Sequence, residues 1–223
     1  METLQNKHRG PHLGMLAIIF TCLFITGLSF VIAFSENAPH YPGPWETAET
    51  IANYFRNHQQ DVLMCAFFQF GAAIPLGLFT ASVVSRLKFL GTKAAGANIA
   101  LFGGLMTAFN IVVSSLILWV MSYPGIAQDI TVTRTLYYIV FAIGGVGYSV
   151  PLGLLIAGIS ITAFFMKLLP KWLTVFGLLL AIIGELSWLS LIFPKLLPLI
   201  PLTRFPGFVW LIITGFMLPK QFY

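Results

Sequence analysis

Six apolar stretches, at about 14–34, 61–85, 97–121, 136–166, 172–193 and 202–218, take up most of this 223-residue chain. A helix of about 20 apolar residues crosses a hydrocarbon core about 30 Å thick, so each stretch reads as a membrane span. Composition agrees. Only 9% of the residues are charged and the mean hydropathy is +0.89, against about 25% charged in a soluble domain. The spans leave no room for a separate catalytic domain. The fold expected is all-α, a polytopic six-span transmembrane bundle forming a single domain over residues 1–223.

The net charge of +5 raises the question of an anionic partner, and its distribution answers it. With the N-terminus inside, Lys7, Arg9, Arg86, Lys88, Lys93, Lys167, Lys171 and Lys220 fall on the cytoplasmic side. Arg56, Arg134, Lys195 and Arg204 fall outside, as do Glu36, Glu46, Glu49, Asp61 and Asp129. That is the positive-inside pattern, which sets orientation and does not imply nucleic acid. Both termini are expected in the cytoplasm and the 35–60 loop outside. The first span follows a basic segment, but its 21-residue apolar run exceeds the 7–15 of a signal peptide, so it reads as a retained helix. Cys22 and Cys65 lie in the first two spans, at depths differing by roughly 10 Å, too far apart for a disulfide.

The loops divide by length. "SRLKFLGTK" (85–93) and "KLLPKW" (167–172) are short and basic, whereas the 35–60 loop is long and opens on the turn-rich "SENAPHYPGP". Within it Trp45, Ala48, Ala52 and Phe55 form a stripe at helical spacing, flanked by Ile51 and Tyr54. An external amphipathic helix over about 45–58 is expected, lying as a lid at the interface. The sequence also repeats itself weakly. "AIPLGLFTASVVSRLK" and "SVPLGLLIAGISITAFFMK" share a PLGL core and end in Lys, and the last span again has an early proline and a terminal Lys. Three helical hairpins describe this economically. Pro75 and Pro151 lie inside spans, where each removes a backbone donor and frees the carbonyl four residues back; in a membrane a neighbouring helix has to satisfy it.

One carboxylate stands inside a span: Glu185, in "AIIGELSWLSLIF". An ionised acid near the bilayer centre costs roughly 2.5–3.5 kcal/mol, so Glu185 has to face the bundle and find a partner. Continued helix would place it on a face with Thr174, Gly177, Ala181, Trp188 and Ile192. At a similar depth stand Asn110, on the stripe Gly103, Thr107, Asn110 and Ser114, and also Gln69, Tyr148 and Ser149. Arg204, at the outer end of the last span, has a stem long enough to reach inward. Gln69, Asn110, Tyr148, Glu185, Trp188 and Arg204 are therefore the candidate ligand-binding residues. The partner expected for Glu185 is Arg204 first, and Asn110 or Tyr148 second. Hydrogen bonds that only join helices are the plainer explanation for Gln69 and Asn110.

Signatures of catalysis are missing. There is no H-E-x-x-H, no GxSxG beside a membrane histidine and no paired aspartate motif. His8, His12, His40 and His58 all lie outside the spans, which excludes haem between two histidines within the bilayer. The spacing of His40 and His58 with Glu36, Glu46 and Glu49 matches no standard metal site, so no catalytic residue, metal or cofactor is assigned.

The stretches "ETIANYF", "SRLKFLG", "LLPKWLTVFGLLLAIIGEL" and "RFPGFVWLIITGFMLP" resemble a family of small bacterial membrane proteins, the domain of unknown function 4386. The likeness covers most of the chain. It implies six helices in a bacterial cytoplasmic membrane and transfers no substrate, cofactor or catalytic residue.

The expected function is binding or transport of a small amphipathic molecule at an intramembrane polar site in the outer half of the bundle. The alternative is a structural or regulatory membrane subunit whose polar cluster only specifies packing, and an intramembrane enzyme comes third. The partners expected are membrane lipids and the amphipathic ligand, with a homo-oligomer or larger complex left open.

Overall fold

The computed structural model describes residues 8–32 and 41–221, and all regular structure among them is helical. Eight α-helices follow in order: α1 Leu13–Ser29, α2 Ala48–Asn57, α3 Gln59–Phe89, α4 Gly96–Met121, α5 Ile130–Gly144, α6 Val146–Phe165, α7 Lys171–Leu186 and α8 Leu199–Met217. Five helical segments are long and apolar enough to cross a membrane: 59–89, 96–121, 130–165, 171–191 and 194–217. The first, α1, is also apolar but has 17 residues, about 25 Å of helix. The chain is a multi-pass helical membrane protein.

Two of the expected spans have a different internal structure. The fourth begins at residue 130 rather than 136, because Asp129 caps α5 by accepting from the N–H groups of Thr131 and Val132 at 2.9 and 3.0 Å. It is also two helices. Gly145, at φ −90° and ψ −95°, breaks the run between α5 and α6. The fifth span tightens after Leu186 into a 3-10 segment, Ser187–Leu191.

The described residues divide into two compact units. The larger comprises Met1–Ile19, Pro75–Thr107 and Ser149–Tyr223; the smaller comprises Phe20–Ile74 and Ala108–Tyr148.

In the larger unit helices approach at glycines. A methyl group placed on Gly103 of α4 would stand 2.5 Å from the backbone N of Leu155 and O of Pro151 on α6. One on Gly158 of α6 would stand 2.4 Å from the carbonyl oxygen of Gly96. Only the missing Cβ permits this crossing, the way apolar helices pack where lipid supplies no hydrophobic drive between them. Gly177 of α7 likewise makes room for Trp210 of α8, whose fully buried indole donates to the carbonyl of Leu173 at 2.9 Å.

The smaller unit is built around α2. Thr47 caps this helix through its side-chain oxygen, which accepts from the Thr50 N–H at 3.1 Å. Ile51, Ala52, Tyr54 and Phe55 are its buried face, and Ile51, Tyr54 and Phe55 pack in one core with Val31, Val62, Leu118, Met121, Tyr137 and Val140. Burying Ile51 and Phe55 completely contributes roughly 1.5–3 kcal/mol each. Trp45, expected on this stripe, precedes the cap and is 79% exposed. The helix starts at Ala48, so Trp45 never acquires helical phase.

Tyrosines fasten the segment before α2. Tyr137 donates to the carbonyl of Pro42 at 2.6 Å and Tyr138 to that of Pro44 at 3.1 Å. Arg56, near the other end of α2, donates through Nε to the Ala127 carbonyl at 2.7 Å. Burial, reinforced by the Asp61 carboxylate and then by Cys65, pushes the Tyr54 phenol up from its ordinary range. Helix α2 is thus a packed element of the smaller unit, with polar ties at both ends.

Candidate functional site

Glu185 sits in the larger unit, on the last turn of α7. The buried stripe of this helix is Leu173, Thr174, Gly177, Leu180, Ala181 and Gly184. Glu185 lies one residue, or 100° of helix, beyond Gly184 and is half-buried. It meets α6 at a glycine: a methyl group on Gly153 would lie 3.2 Å from Glu185 Oε1 and 3.3 Å from its backbone N. One on Gly184 would lie 3.1 Å from Gly153 Cα, 3.1 Å from the Ser149 carbonyl oxygen and 3.0 Å from Thr203 Cγ2 of α8. Ser149, Gly153, Gly184, Glu185 and Thr203 therefore make one tightly built corner of α6, α7 and α8.

The polar atoms of this corner are not all satisfied. Glu185 Oε1 is buried and has no hydrogen-bond partner among the described residues, and the same holds for Ser149 Oγ and for Ser190 Oγ in the following 3-10 segment. From α8 it is Thr203 that turns toward Gly184, with Arg204, the partner expected from the sequence, 100° further round the helix. A carboxylate oxygen removed from water without a donor loses solvation that no described residue returns.

Trp188 does not share the Glu185 corner. It is 49% exposed, and Ile192 is 67% exposed. A 3-10 helix advances three residues per turn, so the buried line continues from Gly184 through Ser187 and Ser190 and leaves Trp188 outside.

The other three candidates belong to the smaller unit, and each has a definite neighbour there. Asn110 of α4 donates through Nδ2 to the carbonyl of Gly147. That carbonyl is the one left without a donor by Pro151, four residues on. Asn110 thus satisfies a backbone group that α6 cannot satisfy itself. Gln69 of α3 lies beneath Gly27 of α1, where a methyl group would stand 3.1 Å from its Cγ. Tyr148 is buried, its ring 5.7 Å from that of Phe24 on α1. The six candidates divide three and three between the units.

Of the metal-ligating types in the external loop, His40 and Glu36 lie outside the described residues. His58 pairs with Asp61 at 3.2 Å, and Glu46 Oε1 accepts from the Gly43 N–H at 2.8 Å. Among the described residues no three such side chains gather as a metal site would require. Cys22 and Cys65 are both free.

Sequence reasoning missed Gly153 and Thr203 as neighbours of Glu185. The readable signal was the four-residue spacing of the small residues Ser149 and Gly153, which marks a face of close helix approach. No family model, curated protein or solved structure matches the chain, and the reading of the site rests on its geometry.

Proposed function

We propose that this multi-pass protein binds or moves a small amphipathic molecule at the Glu185 corner of α6, α7 and α8. One observation carries the reading: a buried carboxylate oxygen in a membrane-spanning segment that no donor among the described residues reaches. A molecule with a hydrogen-bond-donating head and an apolar body supplies the donor and keeps the surroundings dry. The head group meets Glu185 Oε1 and the Ser149 hydroxyl, and the apolar part lies among the helices. The family resemblance and the charge pattern support a bacterial cytoplasmic membrane with both termini inside.

The test is thermal unfolding of the protein in lipid nanodiscs against long-chain amines, alcohols and quaternary ammonium ions of equal chain length. A ligand present at 100 times its Kd stabilises by about 2.7 kcal/mol, a readily measured shift. Donor-headed amphiphiles should stabilise the wild type and leave Glu185→Gln where it was. The quaternary ion, which has charge but no donor, should do less. Equal responses of wild type and Glu185→Gln to every compound would refute the reading.

The alternative, a polar cluster that only specifies packing, has its own support at Asn110, whose bond to the Gly147 carbonyl explains that residue fully. Asn110 is accordingly assigned to the fold and Glu185 to the ligand.

A further inference from the structure

The connection between α6 and α7, "KLLPK" (167–171), carries a feature that the Glu185 corner does not use. A cavity of about 530 Å³ lies there, lined by Phe164, Phe165, Lys167, Leu169, Lys171 and their neighbours, with no acidic side chain in its wall. Two cations four residues apart thus face one space together with aromatic rings. Phe165 is 78% exposed, and Phe164 and Trp172 are exposed as well. Rings and lysines at the end of a membrane helix occupy the level of lipid head groups.

The backbone at Lys167 supports a specific use of that side chain. α6 ends with the Leu168 N–H bonded to the Ala163 carbonyl at 2.9 Å, and Lys167 stands between them at φ 55°. This is the helix-ending turn whose left-handed position usually takes glycine. α3 ends in the same way, the Thr92 N–H bonding the Leu87 carbonyl at 3.1 Å, and there the left-handed residue is Gly91, at φ 87°. In Lys167 the chain accepts the strain of a side chain at such a position, and that side chain lines the cavity. Thr92 also donates to the sulfur of Met166 at 2.9 Å, which ties the basic "SRLKFLGTK" loop to the residue before Lys167.

We propose that this cavity seats the head group of an anionic phospholipid, its phosphate between Lys167 and Lys171 and its first acyl carbons along Phe164, Phe165 and Leu169. The charge of the wall selects an anion. The exposed rings select one with an apolar body, since a free phosphate would use the lysines and leave the rings idle. The proposal is independent of the Glu185 site.

The full-length protein is released from mixed micelles of phosphatidylglycerol and phosphatidylcholine, and the lipid it retains is counted by native mass spectrometry. Wild type should retain phosphatidylglycerol in preference. Each lysine removed should weaken retention about fivefold and the double variant K167A/K171A about 25-fold, from about 1 kcal/mol per lysine and 1.4 kcal/mol per tenfold. K167R/K171R should restore it. K167G separates binding from folding: it relieves the strain and should raise the unfolding midpoint by about 2–4 °C, yet lose about fivefold in retention. Equal retention of the two lipids by wild type overturns the proposal, as does unchanged phosphatidylglycerol retention by K167A/K171A. Inorganic phosphate that displaces the lipid at millimolar concentration and stabilises the protein equally well would show a free-anion site and overturn it too.

Discussion

Asn110→Leu removes the side-chain donor to the Gly147 carbonyl while keeping the side-chain volume. Pro151 has no N–H to offer that carbonyl, and the site lies within the apolar run 130–165, so water does not replace Asn110 there. Hydrogen bonds between membrane helices average about 0.6 kcal/mol and reach about 1.7; an orphaned buried carbonyl costs about 1–3 kcal/mol. The expected loss is therefore about 1–2 kcal/mol, at the upper end for a membrane bond because the acceptor has no alternative. Pro151→Ala gives α6 its own donor, four residues from Gly147. In that background Asn110→Leu should cost no more than about 0.5 kcal/mol, leaving a coupling of about 1 kcal/mol in the double-mutant cycle. Reversible unfolding by titration of a denaturing detergent, followed by far-UV circular dichroism, measures all four proteins. Equal cost of Asn110→Leu in both backgrounds would show that Pro151 does not create the need that Asn110 meets.

Three further outcomes are expected. Gly103→Ala should destabilise by about 3 kcal/mol or more, because the added methyl meets the backbone of α6 at 2.5 Å; Gly77→Ala, with nothing within 4 Å, should be neutral or stabilising by up to about 1 kcal/mol. Detergent unfolding of both variants tests this. Glu185→Gln and Arg204→Ala should be additive within about 0.5 kcal/mol, since the side chain that α8 turns toward Gly184 is that of Thr203; a coupling above about 1 kcal/mol would establish the pair. In a background lacking Cys22 and Cys65, an impermeant thiol reagent should label His40→Cys in intact cells and Ala94→Cys only after permeabilisation. The reverse pattern would invert the topology.

How much of this was legible depends on how local the cause is. Helix α2 was readable because its apolar period and its polar start lie within about ten residues. Its stripe was drawn too far back, to Trp45, since spacing alone does not say where Thr47 begins the helix. Glycines such as Gly103 and Gly153 read as small faces, but which helix approaches each is a tertiary fact. The break at Gly145 was hidden for a related reason: "GGVG" suits a close crossing as well as an interrupted helix. Proline chemistry announced that the Gly147 carbonyl needs a donor, and Asn110 was picked out independently; only the coordinates connect them. Glu185 stands out for its cost in lipid, but that Gly153 lies against it is a tertiary fact. A helix expected to continue to Ile192 gives way to a 3-10 segment, which leaves Trp188 exposed.

The join between α2 and α3 has a mechanical consequence within the smaller unit. A single residue, His58, separates the two helices, and backbone bonds run through it, from the His58 N–H to the Tyr54 carbonyl and from the Val62 N–H to the His58 carbonyl, both 3.0 Å. With no slack there, α2 behaves as a lever arm about 15 Å long pivoting at His58. A tilt of about 10° carries its far end through about 3 Å, which doubles the 2.6 Å span between the Tyr137 hydroxyl and the Pro42 carbonyl and leaves no hydrogen bond. The tyrosine ties therefore let go together and early in the stroke, before the Ile51 and Phe55 rows nearer the pivot have moved far. A load on the segment before α2 is therefore carried through His58 to α3 as torque.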